Sequence, residues 1–160
     1  MIRTVRCGLI LAGVAWLAAS SAVAADLKSP EQVKNALRIL AYVQDDMSRK
    51  LPTRSYARLP HENQEFQEAA VPMREAVAQE PADFKARVEV ALNKALATAN
   101  AMAQVSASND DAKITAAVAA VAADLQKLNA LFPEALRPVA GQLGSGPPRK
   151  GTGGPPPELR

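Results

Sequence analysis

Ile114, Val118, Val121, Leu125, Leu128 and Phe132 follow one another at alternating intervals of four and three residues. At about 3.6 residues per turn, that alternation sets all six side chains along one stripe of a helix, whereas a strand would scatter them over both its faces. A chain carrying such a stripe has to cover it.

Three further segments repeat the spacing. "SPEQVKNALRILAYVQDDMSRKL" sets Val33, Leu37, Leu40, Gln44, Met47 and Leu51 on one face. Ser29 stands in the N-cap place, Pro30 at the first helical position and Gln32 where a capping box would use it, and Pro52 stops the run. The second run, 61–79, carries Phe66, Ala70, Met73 and Val77, but Pro72 falls inside it. Proline removes one backbone donor and clashes one turn back, so a kink near residues 68–72, or two short helices end to end, is expected. In the third run Pro81 opens the helix, Asp83 lies near the positive end of its dipole, and Val88, Leu92, Ala95, Ala99 and Met102 form the inner stripe. It should be the longest, reaching about residue 106. Asn109 or Asp110 then caps the fourth, which Pro133 ends.

Four stripes joined by short polar turns have one economical arrangement. The expected fold is all-α, an antiparallel up-down-up-down four-helix bundle over residues 26–137, with its second helix kinked at Pro72. The connection over residues 52–60 is the longest and the most irregular. Leucines beyond Pro133, such as Leu136, offer either a homodimer surface or a cover for the bundle end.

The two ends read differently. Arg3 and Arg6 precede an apolar run over residues 9–19 and then the small residues Ala22, Val23 and Ala24. That order is the pattern of a cleaved secretory leader over residues 1–25, and the apolar run is shorter than the roughly 20 residues a membrane span requires. A periplasmic or secreted location is expected, with no membrane span after cleavage. From residue 138 onward the sequence is dense in Gly and Pro, carries Arg149, Lys150 and Arg160 against Glu158, and lacks apolar periodicity. A disordered, basic tail is expected there.

Composition excludes several chemistries. Cys7, the sole cysteine, lies inside the leader, so the processed chain has neither a disulfide nor a thiolate metal site. It has no G-x-S-x-G, and all glycines beyond the leader fall in the tail, leaving no glycine loop to cradle phosphate. His61 is the single histidine and has no Ser or Asp in a recognisable catalytic frame. An enzyme is not expected, and no cofactor.

A small exported four-helix bundle resembles the haem-carrying cytochromes b562 and c′ in architecture. The sequence departs from both: it has no C-x-x-C-H for covalent attachment, and no histidine on its last helix to pair with a methionine on the first. A haem or metal carrier would have to use His61 with Met47, Met73 or Met102, or with Glu65. His61 and Glu65 lie four residues apart on one helical face, with Glu68 one turn beyond, a spacing that suits a weak copper or zinc site. The same acids are accounted for by the positive end of the helix dipole.

Arg49, Lys50, Arg54 and Arg58 gather with Tyr56 around the first long connection, but Asp45, Asp46, Glu62 and Glu65 flank them. A nucleic-acid surface wants an unbroken basic stripe with aromatic platforms, so nucleic acid is not expected. The mixed pattern suits a protein partner or a small ligand. The expected function is a non-catalytic binding protein whose contact residues are Arg54, Tyr56, Arg58, His61 and Phe66.

Overall fold

The computed structural model describes residues 27–139. The leader, and the tail apart from its first two residues, lie outside them. The described chain forms four α-helices: α1 (Pro30–Arg49), α2 (Leu59–Ala76), α3 (Ala82–Val105) and α4 (Asp111–Asn129). Short 3-10 turns at Tyr56–Arg58, Ser106–Ser108 and Glu134–Leu136 complete the secondary structure, with no strand among the described residues.

The helix boundaries follow from local chemistry, with two departures from expectation. Pro30 does start α1, and Val33 N–H bonds back to the Ser29 carbonyl at 3.1 Å, but the Ser29 side chain makes no cap bond. Its backbone (φ −136°, ψ 61°) lies outside the extended conformation that would aim the hydroxyl at the first-turn amides. The residue before the cap is held from elsewhere in the chain: Lys28 N–H donates to Glu80 Oε1 at 2.7 Å. Helix α2 begins two residues before His61, because the 3-10 turn at Tyr56–Arg58 feeds directly into it and Pro60 needs no donor in the first turn. It is one helix with Pro72 inside it, rather than two helices end to end. The fourth cap is Asp110, whose side chain accepts from Lys113 N–H at 3.1 Å.

Between helices the chain turns sharply. Arg54 (φ 50°) and Asn109 (φ 53°) hold left-handed backbone conformations, the second a familiar use of asparagine and the first an unusual position for a long side chain.

All four stripes are buried in one core. Val33, Leu37, Leu40 and Met47 of α1 meet Phe66, Ala70 and Met73 of α2, Val88, Leu92, Ala95, Ala99 and Met102 of α3, and Ile114, Val118, Val121, Leu125 and Leu128 of α4. Phe132 lies beyond the end of α4 yet is buried, its ring meeting Phe84 edge-on at 5.6 Å. Leu136 packs against this core from the last 3-10 turn, which touches α1.

The most extensive helix contacts are α3 with α4 and α1 with α2; α2 with α3 and α1 with α4 complete the ring. Side-chain pairs fix their relative course. Asn63 donates to Asn100 at 2.9 Å, Gln67 to the Leu96 carbonyl at 3.3 Å, and Arg74 forks onto Glu89 at 3.1 Å, so partners recede along α3 as they advance along α2. Thr98 with Asp124 and Phe84 with Phe132 give the same reversed order between α3 and α4. No helix among the described residues is long and apolar enough to cross a membrane.

Candidate functional site

The connection between α1 and α2 turns Tyr56 inward and leaves Thr53, Arg54 and Arg58 exposed. Tyr56 is buried and its hydroxyl donates to Asp111 Oδ1 at 2.9 Å, while Arg54 pairs with the other oxygen of the same carboxylate. Burial, together with this bond, raises the Tyr56 pKa. The start of α4 is thereby tied to the connection between α1 and α2 across 55 residues of sequence.

Beneath this connection sits a charged trio. Lys50 Nζ lies 3.1 Å from Asp46 Oδ2 and 3.3 Å from Glu62 Oε1, and Glu62 is only 3% exposed. Burial pushes the Glu62 carboxyl above its ordinary value and the Asp46 charge adds to that, with Lys50 pulling the other way. For Lys50, burial works to lower the pKa, but the two carboxylates outweigh it and the net shift is upward. The trio makes Asp46 part of the α1–α2 seam.

The sequence-derived contact residues therefore divide. Arg54, Arg58 and His61 are exposed at this end of the molecule. Phe66 is fully buried and Tyr56 nearly so, and Met47 and Met73 are core as well, so no apolar patch lies open beneath the connection. His61, 62% exposed, has Nε2 3.3 Å from Glu65 Oε1, two potential ligands on one helical turn. Among the described residues no group of three His, Cys, Asp or Glu side chains is gathered to hold an ion, and Met47, Met73 and Met102 are all buried in the core away from solvent. His61 lies in the first turn of α2.

A concave feature among the described residues lies elsewhere, along the outer seam of α3 and α4. A groove of about 520 Å³ is lined by Ala86, Arg87, Val90, Ala91, Lys94, Asp124, Lys127 and Leu131. Its volume falls within the roughly 300–1,000 Å³ typical of small-molecule sites. The floor is apolar: two alanines leave the space, and Val90, 72% exposed, and Leu131 wall it.

The polar groups of the groove are ordered. Asp124, 6% exposed, accepts from Thr98 Oγ1 at 2.8 Å and from Lys127 Nζ at 2.7 Å. Lys127, then Thr98, hold its carboxyl below the usual range, so it is ionised and locally neutralised at neutral pH. The Arg87 guanidinium lies 5.6 Å from the centre of the Phe84 ring, a cation–π position.

No family model, curated protein or solved structure matches this chain.

The groove was not legible in the sequence. A valine off the apolar stripe is ordinary on a protein surface. It gains meaning only when Leu131 and Lys127 are brought beside it from about 40 residues away in the chain.

Proposed function

We propose that this chain is an exported, non-catalytic binding protein, periplasmic or secreted, and that it holds a small ligand with an apolar body in the groove between α3 and α4. The observation that carries this reading is the groove itself, an apolar floor bordered by a few fixed polar groups, the usual composition of a ligand site. Export is supported by Arg3 and Arg6, the apolar run and the small residues that precede Asp26.

The scaffold in this proposal is an up-down-up-down antiparallel bundle, supported by the reversed order of side-chain pairs between successive helices. In this reading helix α2 bends at Pro72, where one backbone bond is missing. The binding role moves from Arg54, Tyr56, Arg58, His61 and Phe66, whose apolar members are buried, to the α3–α4 face. Rigid helices suit such a site, since the groove is formed before the ligand arrives and little ordering is needed on binding.

The test is titration of the processed chain with the neutral fluorescent probe N-phenyl-1-naphthylamine. Saturable uptake at one site per chain is expected, lost in Val90→Arg, which sets a charge on the apolar floor. Unsaturable uptake, or equal uptake by a folded Val90→Arg variant, refutes the reading.

A further inference from the structure

We propose that the ligand is a single-chain anionic amphiphile, an aliphatic tail ending in a carboxylate, with its head on Arg87 and its tail along Val90 and Ala91; this rests on the groove being a ligand site. Three of the eight lining side chains are cationic, Arg87, Lys94 and Lys127, against the single acid Asp124. Lys127 is committed to that acid at 2.7 Å. Neither Arg87 nor Lys94 forms an ion pair among the described residues, and with Lys127 paired to Asp124 the groove keeps an excess of positive charge beside an apolar floor. A neutral apolar ligand leaves both unused, and a cationic one is repelled.

Position along the helix assigns the head. Arg87, Val90, Ala91 and Lys94 recur at helical spacing on one face of α3, spanning about 10 Å from the first to the last. Asp124 lies at the Lys94 end, where its pKa is lowered by Lys127 and Lys94, so a second carboxylate there would face a fixed negative charge. The Arg87 end is beside Leu131 and the Phe84 ring. Its planar guanidinium can donate to both carboxylate oxygens at once, and the ring beneath it restricts its motion. The tail then lies over Val90 and Ala91 toward the aliphatic stems of Lys94 and Lys127.

The experiment is calorimetric titration of the processed full chain with decanoate, decyltrimethylammonium and 1-decanol, each below its aggregation concentration. Decanoate should bind at least about tenfold more tightly than the other two, and raising the salt should weaken decanoate alone. Lengthening the acid by two methylenes should tighten binding about fourfold to fifteenfold, the upper figure corresponding to full burial of each methylene. Arg87→Gln, checked for unchanged helicity, should remove the advantage of decanoate and leave decanol unaffected. Equal binding of all three compounds overturns the anion assignment while leaving the groove as a ligand site. Failure of all three to bind overturns both. Attachment to anionic phospholipid vesicles without monomeric decanoate binding also overturns the proposal, since the cations would then serve a membrane surface.

Discussion

The hydroxyl of Tyr56 donates to the Asp111 carboxylate at 2.9 Å, so the irregular connection after α1 is pinned to the first turn of α4. A buried hydroxyl bonded to a charged acceptor is among the stronger hydrogen bonds a protein makes. Tyr56→Phe should lower the urea midpoint measurably, and Arg54→Ala, which removes an exposed partner of the same carboxylate, should lower it less. A double-mutant cycle of Tyr56→Phe with Asp111→Asn should show coupling; strict additivity would mean that the bond contributes nothing.

Lys50 joins two carboxylates that would otherwise repel each other in the α1–α2 seam. Lys50→Met should cost about 2 kcal/mol at neutral pH, less than the loss of a partner from a fully buried pair because the ammonium keeps some contact with water. Glu62 has a raised pKa, so between its unfolded value near 4.5 and its higher folded value the native chain holds more protons than the unfolded one. Its contribution to stability therefore declines as pH rises through that window. Glu62→Gln should flatten this part of the pH profile in thermal melts, and an unchanged slope would refute the assignment.

Phe66 acts through the core. Its ring is fully buried in the cluster that joins all four helices, so Phe66→Ala should cost about 3–5 kcal/mol by urea denaturation, a large share of the stability of a domain this size. Arg58→Ala, at an exposed neighbouring position, should leave the midpoint unchanged within about 0.5 kcal/mol.

Pro72 interrupts the backbone ladder of α2 without ending the helix. Pro72→Ala restores an amide donor and should stabilise the chain by about 1–3 kcal/mol, seen as a higher melting temperature. A lower melting temperature would mean that packing depends on proline at this position.

Asp110 caps α4, and the bond from Lys113 N–H holds its pKa below the ordinary 3.8; Asp124 is lowered by Lys127 and Thr98. Stability from both is complete above the unfolded value of 3.8 and is lost as pH falls through the depressed folded values. Asp110→Ala should reduce stability at pH 7 and make the acid transition shallower in circular dichroism.

Four helices, their order and about two-thirds of the core could be read from residue spacing, because a stripe such as Ile114 to Phe132 is a local property of a helix with a fixed pitch; Tyr56, Leu59 and Phe84 are core residues that the spacing left out. Proline and aspartate placed most helix ends for the same reason. Missed were the features that depend on distant residues: Lys28, just before the first helix, is bonded by Glu80, and Lys50 draws Asp46 together with Glu62 in the α1–α2 seam. The groove of Val90, Lys127 and Leu131, like the burial of Tyr56, exists only where separate helices converge. Pitch and side-chain polarity determine which face of each helix turns inward; what lies between the outer faces is decided by packing, since neither helix contains the other half of the surface.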